Sequence, residues 1–288
     1  NDQEWHISVS GQLESWGDKL AAIMQLRVCE SNEYAKLIFI LRGADNVNCG
    51  KSSSRVVDNV RGKLLRWGWK AHVLGGMRFW SRTDVTDVIC EIESVDENLD
   101  IVMMRISLCP IYQRVQDSGG LTLHAGLVER YGNGVLLAAP KNIGKSTCCQ
   151  RIPRPWSVLC DEETLVVQNN QRKYLAHPFP TWSDYIARRS NRTWNVQHHV
   201  ALQAIFFIEQ AEVDEVVSLG QGEAAVLINQ SAVQVHYRYW HDLGNEELRT
   251  RKKKLFENAC ELAKVIPSFK LRVSLTGRFW EKIEEVLP

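Results

Sequence analysis

Val135-Leu-Leu-Ala-Ala139-Pro-Lys-Asn-Ile-Gly144-Lys145-Ser146-Thr147, with Ser157-Val-Leu-Cys-Asp161 downstream of it, decides how this chain is read. Val135 to Ala138 is a continuous apolar run, as expected of a strand buried on both faces. A Gly-Lys-Ser turn follows, then a short helix that Pro153 and Pro155 must end. Strand, loop and helix in that order are the context in which such a loop holds phosphate. Successive backbone N–H groups at the loop and the helix start make a concave anion site, helped by the helix dipole. Gly144 admits a phosphate close to the backbone. Lys145 offers a compact charge to β- and γ-phosphates, and the Ser146 hydroxyl can reach Mg²⁺. Pro140, Lys141, Asn142, Ile143 and Thr147 complete the expected nucleotide contacts. The usual pattern opens on glycine where this chain has Ala139, which gives up easy access to positive φ. A plain surface turn before a helix is the competing reading.

Trp156 to Cys160 reads as the next strand, expected beside the loop strand and delivering Asp161 at its C-terminal end. A carboxylate there can hold Mg²⁺ or take the proton of an acceptor hydroxyl. Glu162 and Glu163 follow, and Glu163 is expected to begin a solvent-facing turn. A second triplet, Gly50-Lys51-Ser52, invites the same reading. Asp45 stands five residues before Gly50, and its charge would repel phosphate. It is read as a loop.

Outward from this stretch, Leu121 to Val128 is expected as a strand and Glu129–Gly134 as a hairpin turn. Ala204 to Ile208 is a further apolar strand. Leu248, Leu255, Ala259, Leu262 and Ile266 share one stripe of a helix that ends at Pro267. Gln116-Asp-Ser-Gly-Gly breaks the pattern and divides the chain into an N-terminal β-rich lobe, 1–117, and a nucleotide-binding domain, 118–288. In the first lobe, Leu37–Leu41, Val88–Ile92 and Ile101–Ser107 are β-prone. Ala21–Val28 and Ser54–Trp67 read as helical. The fold class is mixed α/β.

The totals are those of an ordinary globular protein: 288 residues, 44% hydrophobic, 24% charged and a formal charge of +1. Without a global field, a nucleic-acid partner would need a local basic patch. The one basic run, Arg249 to Lys254, lies in a helical pattern and reads as a solvated face. No nucleic-acid partner is expected. No apolar run reaches the roughly 18 residues of a membrane span, and the N-terminal residues do not resemble a signal peptide. The eight cysteines lack CxxC or Cys/His spacing. They read as reduced thiols in the cytoplasm, with Cys148 and Cys149 packing within the loop helix.

His124-Ala-Gly-Leu-Val-Glu-Arg-Tyr-Gly-Asn-Gly134, the phosphate loop and the pair Asp161-Glu162 together resemble the HPr kinase/phosphorylase family. The resemblance implies a core similar to phosphoenolpyruvate carboxykinase. It also implies a kinase using ATP and Mg²⁺, with Asp161 as catalytic base and His124 and Lys145 near the transferred phosphoryl group. Ser146, Asp161 and Glu162 would stand toward the metal, Glu162 replacing the family's second Asp. The family's later Glu-x-Arg-Gly signature is absent, so HPr itself is not the expected acceptor. His177-Pro-Phe-Pro-Thr-Trp-Ser183 and Leu271-Arg-Val-Ser-Leu-Thr-Gly-Arg-Phe-Trp280 resemble HPr-kinase-like proteins of peptide-maturation cassettes, encoded beside radical-SAM enzymes and a PqqD-like peptide carrier. That likeness implies a Ser/Thr hydroxyl of a ribosomally made precursor peptide as acceptor. It places His177, Trp182, Ser183 and Arg188 as candidate substrate contacts, and it allows a homo-oligomer. A kinase of a small hydroxyl compound such as free serine, and a nucleotide-binding assembly module without turnover, remain open beside it.

Overall fold

The computed structural model describes residues 5–29, 35–41, 61–93, 100–140, 142–187 and 191–287. The fold is mixed α/β with two mixed sheets. The smaller sheet has the order β1-β2-β5-β4-β3, built from β1 (Trp5–Val9), β2 (Ala35–Leu41), β3 (Lys70–Leu74), β4 (Met77–Ser81) and β5 (Val88–Ile92). Leu37 and Phe39 of β2 are fully buried while their neighbours are half-exposed, the period-2 pattern of a sheet covered on one face. Helix α1 (Glu14–Met24) supplies the cover through Trp16, Leu20, Ile23 and Met24. It starts and ends earlier than the expected 21–28, because Gln25 turns left-handed at φ 48° and stops it. Residues 61–66 form α2. The Gly50-Lys51-Ser52 triplet and the first part of the 54–67 segment lie outside the described residues.

Ile101–Ser107 is not a strand. It belongs to helix α3 (Asp100–Ser107), followed at once by α4 (Cys109–Asp117). Ile101, Met104, Arg105, Ser107 and Leu108 are the buried positions, and their i, i+3 and i+4 spacing fits a helix face rather than alternation. The Ser107 hydroxyl donates back to the Met104 carbonyl, closing the last turn.

The larger, nine-stranded sheet follows the path β6-β10-β11-β12-β8-β7-β9. Its members are β6 (Leu121–Leu123), β7 (Ala125–Arg130), β8 (Asn133–Ala138), β9 (Ser157–Cys160), β10 (Thr164–Gln168), β11 (Tyr174–Pro178) and β12 (Val200–Gln210). Off this path, β14 (Ser268–Val273) pairs with β12 and with β13 (Glu215–Ser218). The expected strand 121–128 is broken at one residue, His124, which separates β6 from β7. Since these two strands sit near opposite ends of the path, the sheet must bend back on itself at His124.

The central strands β8 and β12 are apolar throughout because both faces are covered. Leu136, Ala138, Ile205 and Phe207 face a core shared with α4, α7 (Gln221–His236), α8 (Asn245–Val265) and the smaller sheet. Val135, Leu137, Phe206 and Ile208 face a second core with α5 (Lys145–Arg151) and α9 (Phe279–Val286). The first core therefore runs from the smaller sheet into the larger across the Gln116 break, with Met104, Leu108 and Tyr112 among its members. The basic run on α8 is solvated: Arg249, Lys252 and Lys253 are exposed.

A candidate site at the carboxyl edge of the larger sheet

Strand β8 is antiparallel to β7, and β7 is antiparallel to β9, so β8 and β9 run the same way and end at one edge. They are not neighbours, as the sequence reading expected. The insertion of β7 between them puts their ends about 10 Å apart. It also brings the start of β7, and with it His124, to that same edge: Ala125 pairs with Ala138, and Leu127 with Cys160. Gly126 is required here. A Cβ on it would lie 2.7 Å from Cys149 Sγ of α5 and 3.5 Å from the Asp161 Cα, so the bare backbone lets the helix close on the strand.

Gly144 turns the chain into α5 at φ 108° and Asn142 reaches φ 66°, so the loop spends its left-handed turns at these two positions. Ala139, directly after β8, is buried. The Gln210 side chain at the end of β12 donates to the Ile143 carbonyl at 3.2 Å and ties down the loop. Pro140, Asn142, Ser146 and Thr147 are exposed, whereas Lys145 is buried. Lys141 lies outside the described residues.

The Lys145 ammonium spans the gap between the strand ends. Its Nζ is 3.0 Å from His124 Nε2 and 3.4 Å from the Glu162 carbonyl oxygen. Burial pulls its pKa down to about 8, against the opposing pull of Glu162, Cys149, Cys160 and Asp161. With the ammonium donating, His124 accepts at Nε2, which leaves the imidazole proton on Nδ1. The backbone of His124 is clamped from α7: its N–H donates to the Ser231 carbonyl, and the Ser231 hydroxyl donates to its carbonyl, both at 3.2 Å.

The three acids after β9 have three different surroundings. Asp161 is half-buried, and its Oδ1 accepts from the Thr181 hydroxyl at 2.5 Å. Glu162 accepts from both the main-chain N–H and the hydroxyl of Ser183, each at 3.1 Å, and thereby caps α6 (Trp182–Ile186). Burial raises its pKa, Glu163 adds to the rise and Arg105 opposes it. Glu163 does not face solvent: it is 1% exposed. Its carboxylate is clasped by the Arg105 guanidinium of α3 and by the Tyr112 hydroxyl of α4, the latter at 3.0 Å. The expected surface turn fails because two helices from before the Gln116 break deliver a cation and a donor to that position.

Other sequence candidates go elsewhere. His177 Nδ1 meets the Val196 carbonyl at 3.0 Å, the ring lies 5.2 Å from that of His199, and burial drops its pKa to about 4. Trp182 is fully buried, and its indole N–H finds no partner among the described residues. Ser183 sits on Glu162, and Arg188 lies outside the described residues. Further along, Arg192, which was not among those candidate substrate contacts, donates to the Val158 carbonyl of β9 at 2.9 Å and stacks over Trp194. Arg105, Tyr112, Thr181 and Ser231 are the site residues that sequence reasoning missed. Only Thr181 lay within a stretch it had marked for the site.

Among the described residues, no group of three or more His, Cys, Asp or Glu side chains gathers to hold a metal. A nucleotide-borne Mg²⁺ does not need one, since it commonly takes one or two protein oxygens and completes its shell with phosphate and water. The exposed Ser146 hydroxyl and half-buried Asp161 fit that requirement, whereas Glu162 has Oε2 committed to Ser183. No described helix is long and apolar enough to cross a membrane.

Fold and site define a mixed α/β protein with a lysine-bearing loop facing an acidic strand end. Residues 88–288 match the model of the family described as SynChlorMet cassette protein ScmC, and the chain belongs to that family. The match begins in β5 and spans the Gln116 break, so α3 and α4 fall within it. No curated protein matches the chain.

Proposed function

We propose that this chain is an ATP- and Mg²⁺-dependent phosphotransferase with an HPr-kinase-like phosphate loop, acting in the cytoplasm on the Ser or Thr hydroxyl of a precursor peptide. One observation carries the reading: a buried ammonium, Lys145, faces a polar notch of His124 Nε2 and the Glu162 carbonyl with Asp161 alongside. Among the described residues it has no carboxylate at ion-pair distance. An anion entering the loop between Gly144 and Thr147 restores its partner, and a phosphate chain has the charge and length to do so.

Phosphoryl transfer asks mainly for positioning and charge neutralisation. Lys145 neutralises the γ-phosphate and, as it swings toward it, releases His124 Nε2 to face the same group. Asp161 holds the acceptor hydroxyl and takes its proton. Ser146 and Asp161 would hold a nucleotide-borne Mg²⁺, which would supply further neutralisation of phosphate charge. The cassette named in the family description suits a peptide acceptor, with a radical-SAM enzyme and a PqqD-like carrier as partners.

Titration calorimetry with Mg²⁺ and a non-hydrolysable ATP analogue, paired with mass spectrometry of candidate peptides, tests the reading. Asp161→Asn is expected to bind nucleotide near-normally and to lose transfer by a factor of about 10² or more, while Lys145→Ala loses binding. Transfer to free serine but not to peptide would mark a small-molecule kinase, and binding without turnover an assembly module. Failure of the intact protein to bind nucleotide sinks all three.

A further inference from the structure

We propose, resting on the phosphotransferase reading above, that Thr181 is itself a phosphoryl acceptor, modified in cis by the same site. A general base must reach the hydroxyl it deprotonates at hydrogen-bond distance. The aliphatic hydroxyl that meets this condition at Asp161 is already in the chain: Thr181 Oγ1 donates to Asp161 Oδ1 at 2.5 Å. Other hydroxyls near the acids are placed differently. Ser183 Oγ donates to Glu162, and Thr164 Oγ1 donates to the Ala125 carbonyl from full burial.

Thr181 has only 4% of its surface exposed, but the carboxylate that it touches is half-buried, so the contact lies just beneath the surface. Lys145, the group that would carry the γ-phosphate, reaches the same acids from the other side through the Glu162 carbonyl. The segment bearing Thr181 ends in the five-residue helix α6, held to the acids by the Thr181 and Ser183 contacts. Exposing Thr181 means breaking these bonds and loosening the buried Phe179 and Trp182 beside it, so the step waits on a local unfolding of this segment.

In the step itself, Asp161 Oδ1 takes the Thr181 hydroxyl proton and Oγ1 bonds to the γ-phosphorus of ATP. The bond from that phosphorus to the β,γ-bridging oxygen breaks, ADP leaves with the electron pair, and the proton passes to solvent. The product places a dianion beside Asp161 and Glu162. Their repulsion breaks the Thr181 and Ser183 contacts and clears Asp161 for an external hydroxyl.

The test incubates the intact protein with Mg²⁺ and ATP, without peptide, and maps phosphate by tandem mass spectrometry. A parallel sample is photolabelled with an azido-ATP. The expected result is phosphothreonine at 181, about a hundredfold less in Asp161→Asn, none at 181 in Thr181→Val, and phosphoserine in its place in Thr181→Ser. Photolabelling of the protein with no phosphate at 181, or with phosphate only elsewhere, such as Ser183, overturns this proposal and spares the phosphotransferase reading. Absence of photolabelling overturns both.

Discussion

Two cations stand on either side of the acids that follow β9, and each has 7% of its surface exposed. Arg105 meets Glu163 directly, has Glu162 at 4.0 Å, and shares Glu163 with the Tyr112 hydroxyl. Burial works against its charge, but Glu163, with Tyr239 and Glu162, outweighs it and holds the guanidinium ionised. Lys145 is as deeply placed, yet its hydrogen-bond partners are a ring nitrogen and a carbonyl. There burial wins, and its pKa falls to about 8. Equal burial with unequal partners separates a cation that completes the fold from one left short of an anion. Arginine suits the first position because its planar fork pairs with a carboxylate, and lysine suits the second because its charge is easily perturbed.

The largest effect is expected on the Arg105 side. Arg105→Met leaves Glu163 buried without its cation, and the loss should be about 3–5 kcal/mol of stability in urea unfolding. The double variant Arg105→Met, Glu163→Met removes both charges and should regain more than half of that loss. A single variant within about 1 kcal/mol of the parent would mean that Arg105 is no more anchored than Lys145, and the contrast would be lost.

The opposite sign is expected at Lys145. Its native pKa of about 8 lies below the ordinary 10.5, so between those values the unfolded chain holds a proton that the native state has released. Ionised Lys145 therefore weakens the fold below pH 8, and the penalty fades as pH rises from 8 toward 10.5. Lys145→Met should stabilise the ligand-free protein by about 2–3 kcal/mol at pH 7, seen as a higher melting temperature. The gain should shrink progressively over that same pH window. A stabilising variant that also loses nucleotide binding is the signature of a residue kept for function. Destabilisation at pH 7 would show that Lys145 serves the fold as Arg105 does.

Much of the Lys145 side could be read from the sequence, and little of the Arg105 side. The run Val135–Ala138, the Gly-Lys-Ser turn and the stop at Pro153 are local signals, so β8 and α5 stand where expected. The end of β9 at Asp161 follows from the same kind of signal. That β7 would separate these strands was invisible, because pairing order in a sheet is not written in any one segment. Glu163 was misplaced for a related reason. Its partners, Arg105 and Tyr112, lie 58 and 51 residues away in the chain. The segment carrying Arg105 was also read with a strand period, although Ile101, Met104, Arg105 and Leu108 fit a helix. The short apolar run from Ile101 to Met104 supports either period until its tertiary neighbours are known. Thr181 shows the opposite limit: the stretch was marked for its likeness to cassette kinases, while the contact to Asp161 rests on a threonine with no motif of its own.

The smallest effect tests whether the two sides act separately. Tyr112→Phe removes one hydrogen bond to Glu163 and leaves the ring packed against Phe179 and Tyr239, with centroids at 5.7 and 5.9 Å. Because Arg105 still satisfies the carboxylate, the loss should be about 1 kcal/mol. Combined with Lys145→Met, the two changes should add to within about 0.5 kcal/mol, since neither removes a partner of the other. Glu162 is the group that bridges them, standing 4.0 Å from Arg105 and lending its carbonyl to Lys145. A coupling well above that bound would therefore mean that a change at Glu163 shifts the 161–163 backbone itself. In that case the helices α3 and α4 would set the geometry that Lys145 meets, and the divide between a structural and a functional cation would dissolve into one network.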